Sequence, residues 1–137
     1  MVQTDHTDIL QSLFEKWANE QGIEILPLPQ AGSYRRYYRL PGQHKHAIGV
    51  YSPDKYETRA FIEFTHHFRH IGLDVPTIYA SDLSKDCYLI SDLGDESLLD
   101  HLEKIRKNGI PSEETYSFYR LAIAELPRFQ VDACMNF

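Results

Sequence analysis

The order of its strand-like and helix-like segments constrains the fold of this chain more than any other feature of the sequence. Hydrophobic periodicity predicts a helix (7–21), three strands (23–28, 34–40 and 47–51), a long helix (54–72), two strands (75–79 and 87–90) and two helices (97–107 and 113–129). A parallel sheet would alternate strands with helices. This order therefore predicts an α+β fold with a five-stranded antiparallel sheet that is covered on one side.

Three of the predicted helices have an apolar face that needs a partner. Along the helix at 54–72, Phe61, Phe64, Phe68 and Ile71 recur at helical spacing, and we expect this stripe to be buried against the sheet. The two final helices have apolar faces as well, with no further element to cover them. We expect the chain either to be disordered after about residue 110 or to self-associate through those faces.

Composition and charge exclude several classes of protein. The 137 residues carry a net charge of −6 with His neutral, which argues against a general nucleic-acid-binding protein. No apolar run is long enough to span a membrane, and the first residues lack the basic start and apolar stretch of a signal peptide. Cys87 and Cys134 form no Cys-x-x-Cys pair. Two thiols without an export signal predict a cytoplasmic protein.

Two loops are candidate binding sites. The first, at 30–36, carries the polar residues Gly32, Ser33, Arg35 and Arg36. Its backbone N–H groups and arginines could hold a phosphate, although a surface hairpin with solvated arginines fits the same pattern. The second, at 91–95, follows the last predicted strand. Its exposed backbone groups could contact the flat edge of a base, or it could be an ordinary connection from a strand to a helix.

A pair of histidines in the long helix is a weaker candidate for a site. His66 and His70 are spaced i, i+4, which can present two imidazoles to one metal ion. No cysteine or third ligand lies nearby in the sequence. The favoured interpretation is therefore a solvated helix face, and we predict no metal site in this chain.

Four segments carry a resemblance to a known family. They are Gly-Ser-Tyr-Arg-Arg-Tyr-Tyr-Arg at 32–39, Glu-Thr-Arg-Ala-Phe at 57–61, Gly-Leu-Asp-Val-Pro-Thr-Ile-Tyr at 72–79 and Leu-Ile-Ser-Asp-Leu-Gly-Asp at 89–95. In order and spacing, they resemble the N-terminal lobe of the aminoglycoside phosphotransferase-like (choline kinase-like) family. The most similar branch is the bacterial kinases that phosphorylate cell-wall amino sugars (muramate and glucosamine) at the anomeric position.

The resemblance implies a division of the chain and a function. It implies an N-terminal helix at 1–22, a protein-kinase-like nucleotide-binding lobe at 23–95, and the first helices of a second lobe at 96–137. The full protein would transfer the γ-phosphate of ATP to a hydroxyl, with an amino sugar as the acceptor. Two other functions stay open: a non-catalytic nucleotide-binding or regulatory module with the same fold, and a structural interaction domain.

The resemblance also implies roles for individual residues. The loop that contains Gly32, Ser33, Arg35 and Arg36 would cover the ATP phosphates. Glu57 would be the acidic residue of the long helix, with Glu63 as the less favoured alternative, and Ile90 would be the gatekeeper. The carbonyl of Ser91 and the N–H of Leu93 would bind the adenine edge. Because the backbone makes those contacts, we expect the side chain of Asp92 to matter little.

Two departures from the family's pattern limit what this chain can do. The third predicted strand has no lysine where kinases place one against the phosphates, and Arg35, Arg36, Arg39 or Lys55 could substitute for it. The family's catalytic His-x-Asp, its following Asn and its Mg²⁺-binding Asp have no match here. We therefore expect a piece of a longer enzyme that is inactive alone, with the Mg²⁺ ligands and the site for the small-molecule acceptor outside it.

Overall fold

A computed structural model describes residues 5–30, 32–106 and 109–135 of the chain. Two predicted features, Ala31 in the first loop and the end of a helix at Lys107, lie outside the described residues. The helices and strands are α1 (His6–Ala18), β1 (Leu26–Pro27), β2 (Arg36–Pro41), β3 (His46–Tyr51), α2 (Lys55–His70), β4 (Ile78–Asp82), β5 (Cys87–Ile90), α3 (Leu98–Ile105), α4 (Glu113–Pro127), a π-helical segment (Arg128–Asp132) and α5 (Ala133–Met135).

The five strands form one antiparallel sheet in the order β1-β2-β3-β5-β4, which confirms the predicted sheet. β1 has only two residues and lies at an edge. Pro27 explains its shortness, because proline has no N–H to donate to a neighbouring strand. β4 begins three residues later than predicted, at Ile78, and it pairs irregularly with β5 between Ile78 and Ala80.

The first helix packs on one face of the sheet and forms the main core with it. The members of this core are fully or almost fully buried; they are Leu10, Phe14, Ala18, Tyr38, Leu40, Ala47, Cys87 and Leu89. α1 ends earlier than the predicted residue 21, because Asn19 adopts a left-handed conformation (φ 58°). The next residue, Glu20, accepts backbone hydrogen bonds from Gln43 and Lys45, which joins the end of α1 to the β2–β3 turn.

The long helix α2 packs on the opposite face, so the sheet is covered on both sides and not on one side as predicted. The predicted buried stripe is right for Phe61, which packs against the core, and wrong for Phe64. Thr58, Phe61, Ile62 and Thr65 face the sheet, whereas Phe64 is 44% exposed. The inward face of the helix is therefore displaced from the one predicted. Phe64 stacks on Phe68, and Phe68 packs edge-on against Phe129, a residue that lies distant in sequence.

The final helices form where they were predicted, and each begins after a serine cap. Ser97 and Ser112 each accept a hydrogen bond from the backbone N–H three residues later, at Asp100 and Thr115, and the side chains of those residues reach back. Residues 113–127 are thus helical rather than disordered. Apolar side chains of α4 such as Leu121 stay exposed, and self-association through them remains a prediction. No helix within the described ranges is both long and apolar enough to cross a bilayer.

Gly49 lets α1 approach the sheet closely, and its replacement by alanine tests this packing. A Cβ atom at Gly49 would lie 2.7 Å from Leu40 Cδ1 and 3.1 Å from Leu10 Cδ2, and both leucines are fully buried. We expect Gly49→Ala to lower the free energy of unfolding by about 1–3 kcal/mol, measured by urea denaturation. Alanine is otherwise the better residue in a strand interior. Unchanged or higher stability would therefore contradict the close approach.

Candidate functional site

A cleft of about 360 Å³ opens on the sheet face that α1 leaves uncovered. Ligand sites for small molecules are typically about 300–1,000 Å³ in volume. The cleft is lined by residues from β2, β3, the end of β5 and the chain that follows it, together with two loops: Leu28, Pro29, Tyr37, Arg39, Ile48, Pro76, Ile90, Ser91, Asp92, Leu93, Gly94 and Asp95. The predicted segment at 91–95 is therefore part of this cleft.

The floor of the cleft is apolar. Ile48 and Ile90 pair directly across β3 and β5, and both are almost fully buried. Leu28 and Tyr37 pack against them from the β1–β2 side. A flat apolar ring would be removed from water on this floor, which favours its binding. The structure thus places Ile90, the predicted gatekeeper, at the end of β5 on the cleft floor.

The segment at 91–94 presents backbone groups at the rim of the cleft. The Ser91 N–H donates to the Thr77 carbonyl at 2.9 Å, and the Thr77 N–H donates to Ser91 Oγ at 3.0 Å. The Gly94 N–H donates to Asp92 Oδ1 at 2.9 Å. Among the described residues, the Ser91 carbonyl and the Leu93 N–H have no hydrogen-bond partner. One acceptor and one donor, two residues apart, thus have no internal partner in a segment that lines the cleft.

An ion-pair cluster fixes this segment to the sheet. Arg39 of β2 donates from Nε to Asp92 Oδ2 at 2.6 Å and from Nη2 to Asp92 Oδ1 at 3.2 Å, and its Nη2 also donates to Asp95 Oδ1 at 2.8 Å. The hydrogen bonds from Arg39 hold the pKa of Asp92 below its usual value, against an opposing effect of burial. We call these three side chains the Arg39 clamp.

The Arg39 clamp changes two sequence-based expectations. Asp92 was expected to matter little, but its carboxylate accepts hydrogen bonds from both Arg39 and Gly94, so it shapes the segment that carries the open backbone groups. Arg39 was a candidate for the missing strand lysine. Its donors are instead bound to two carboxylates. Local sequence patterns contain no signal for this cluster, because Arg39 and Asp92 are 53 residues apart.

A second ion pair lies on the same side of the sheet. Arg35 Nη2 donates to Glu57 Oε1 at 2.5 Å, and the Arg35 guanidinium lies 5.4 Å from the centre of the Phe61 ring. The Arg35 side chain is only 17% exposed, whereas that of Glu57 is 51% exposed. Two of the predicted site residues, from the first loop and from α2, are thus brought together.

The other predicted residues of the first loop are not brought to this pair. Arg36 is exposed, and strand alternation places it on the α1 side of the sheet with Tyr38 and Leu40. Gly32 has a positive φ of 32°. Ser33 is exposed, and its carbonyl accepts a hydrogen bond from Gln30 Nε2 at 3.0 Å. The roles of these three residues remain predictions.

The described part of the chain offers no metal site. Within it, no three His, Cys, Asp or Glu side chains come together closely enough to hold an ion. His66 and His70 are both exposed on α2.

Two curated proteins match most of this chain in sequence. The chain is similar to N-acetylmuramate/N-acetylglucosamine kinases. It is 33% identical to the one from Pseudomonas aeruginosa over 89 residues, which is 64% of this chain and 26% of that protein. It is 32% identical to the one from Pseudomonas putida over 95 residues, which is 69% of this chain and 28% of that protein. The chain thus spans about a quarter of the length of these relatives.

The other comparisons bring no further relative. No family model matches the chain, and no solved structure matches it. The predicted aminoglycoside phosphotransferase-like family therefore remains a prediction. The names of the two relatives agree with the predicted kinase branch.

Proposed function

We propose that this chain is the ATP-binding lobe of an aminoglycoside phosphotransferase-like kinase that phosphorylates an amino sugar. One observation carries the proposal: an open backbone acceptor at Ser91 and an open donor at Leu93 lie at the rim of an apolar cleft. The names of the two relatives support the same function and indicate the class of acceptor.

The open groups match the edge of adenine. That edge has an amino group that donates and a ring nitrogen, N1, that accepts. The amino group would donate to the Ser91 carbonyl, and N1 would accept from the Leu93 N–H. The ring would lie on Ile48 and Ile90, where burial of its faces favours binding. Guanine has an acceptor in place of the amino group, so two acceptors would face each other and GTP would bind more weakly.

The proposed reaction needs a base and a site for the sugar in addition to a nucleotide-binding lobe. A hydroxyl oxygen of the amino sugar attacks the γ-phosphorus of ATP, and the bond from that phosphorus to the β,γ-bridging oxygen breaks. ADP leaves with the bonding electrons, and the hydroxyl proton passes to a base. The described residues position the nucleotide. We expect the base and the acceptor site outside them, so the chain alone has no phosphotransfer activity.

A non-catalytic nucleotide-binding module is the second candidate, and one observation favours it. β3 (His46–Tyr51) contains no lysine, and Val50 is fully buried on its cleft face. Both candidates bind ATP in the same way. Transfer of phosphate to N-acetylglucosamine by a longer protein that contains this chain would support the kinase and exclude the module.

Titration with nucleotides tests the proposed site. Amide chemical shifts should change at 91–93 when ATP or adenosine is added to the chain. Leu93→Pro removes the N–H that N1 needs, and we expect it to weaken adenosine binding at least about tenfold, the effect of losing a well-oriented hydrogen bond.

Leu93→Ala is the matched control. It keeps the N–H and removes only a side chain that is 76% exposed, so adenosine affinity should stay within about twofold of the wild type. Equal affinities of the proline and alanine variants, or shift changes confined to residues far from the cleft, would contradict the proposed site.

A further inference from the structure

We infer that the hydroxyl of Ser91 makes the proposed base site selective for a purine that carries a 6-amino group. The hydroxyl itself touches no ligand. It acts on the carbonyl of the same residue, so its role is one of positioning. This inference rests on the proposed nucleotide site, and it adds the side chain that leaves a backbone acceptor of that site open.

The open carbonyl lies where the pairing of β4 with β5 would continue. Ile78 and Ile90 are partners across the two strands, so Thr77 and Ser91 come opposite each other in the next pair. In a regular antiparallel ladder, a hydrogen-bonded pair exchanges two bonds between its N–H and carbonyl groups. The first bond is present, because the Ser91 N–H donates to the Thr77 carbonyl at 2.9 Å. The second would use the Ser91 carbonyl as its acceptor.

The side chain of Ser91 takes the place of its own carbonyl in the second bond. The Thr77 N–H donates to Ser91 Oγ at 3.0 Å instead. The Ser91 carbonyl has no hydrogen-bond partner among the described residues, and Ser91 lines the cleft. A hydroxyl oxygen can accept a backbone hydrogen bond, whereas an apolar side chain cannot. The carbonyl is therefore released from the ladder because residue 91 is a serine.

Loss of the hydroxyl would close the acceptor. Thr77 is partly buried, and a buried N–H without a partner is costly. In a variant without the hydroxyl, the carbonyl of residue 91 would accept from the Thr77 N–H and complete the regular ladder. A bound purine would then lose the acceptor for its amino group, while the Leu93 N–H would still donate to N1. Selectivity for the amino group would fall, and binding of the ring would remain.

Purine riboside, which is adenosine without the 6-amino group, separates this role from a purely structural one. By titration calorimetry, we expect the wild-type chain to bind adenosine about three- to tenfold more tightly than purine riboside, the range for one hydrogen bond. In Ser91→Ala the preference should fall below about twofold, because adenosine binds more weakly and purine riboside binds as before. A serine that only stabilised the segment would weaken both nucleosides alike when it is replaced.

Two further variants of matched shape keep the test independent of how Ser91→Ala folds. Ser91→Thr and Ser91→Val are both β-branched and differ only in a hydroxyl or a methyl group, so any strain from the added bulk is nearly equal. Threonine should retain a preference of at least about threefold for adenosine, and valine should lose it.

Three results would overturn the inference: equal preferences in the threonine and valine variants, equal losses of both nucleosides in Ser91→Ala, or a wild-type chain that binds the two nucleosides equally. If instead the wild-type chain binds neither nucleoside, the proposed function itself fails.

Discussion

Replacing Phe14 with alanine is expected to lower the free energy of unfolding by about 3–5 kcal/mol, because the ring is fully buried and its loss leaves a cavity. Phe14 lies at the centre of the contact between α1 and the sheet, beside Leu10 and the edge-on ring of Trp17. Urea denaturation measures the loss, and an unchanged m-value would show that the denatured state is not altered.

Phe64→Ala is the matched control. It deletes a phenyl ring from α2, the helix whose apolar stripe was predicted to be buried against the sheet. Because Phe64 is 44% exposed, we expect a loss of only about 1 kcal/mol, since less apolar area leaves water there on folding. A loss at Phe64 as large as that at Phe14 would mean that α2, not α1, forms the main core.

The elements of the fold were predictable because their signals are local. Hydrophobic periodicity indicated the strands β2 and β3 and the helices α3 and α4. The orientation of α2 was not predictable in this way. Periodicity shows that a helix has an apolar face, but the choice between neighbouring faces depends on partners elsewhere in the chain, here Phe129.

The candidate site was likewise predictable only where its signals are local in the sequence. The loop chemistry of 91–94 is local, and the segment does lie at the rim of a cleft. The two ion pairs that organise the site join residues 22 and 53 positions apart. Their partners follow from the strand register and the placement of α2, which the sequence does not specify without the fold. Arg35 and Glu57 were each singled out, but their pairing was not.

Replacing Asp92 with alanine is expected to weaken adenosine binding roughly tenfold, about the effect of losing one well-oriented hydrogen bond, although the side chain makes no proposed contact with the base. Without its carboxylate, the Gly94 N–H has no partner and Arg39 keeps only Asp95, so the segment at 91–94 loses contacts that hold its shape. The open groups at Ser91 and Leu93 would then be held less precisely. Calorimetric titration with adenosine measures the effect.

Asp95→Ala is the control for the Arg39 clamp. It also removes a negative charge beside Arg39, but Asp95 is 80% exposed and accepts a single hydrogen bond in the clamp. We expect adenosine affinity to stay within about twofold of the wild type, because exposed ion pairs contribute little. Equal effects of the two alanine variants would show that charge beside Arg39, rather than the shape of the segment, determines binding.

The pH dependence of stability gives an independent check on Asp92. Its pKa in the folded protein lies below the ordinary value of 3.8, chiefly because of the hydrogen bonds from Arg39. A group with a lowered pKa contributes stability above its unfolded value and loses that contribution as pH falls through the folded one. The wild-type protein should therefore be more stable than Asp92→Ala near pH 7, and the difference should shrink as the pH falls below 3.8. A difference that stays constant down to the folded pKa would mean that the carboxylate's charge is not what holds the segment.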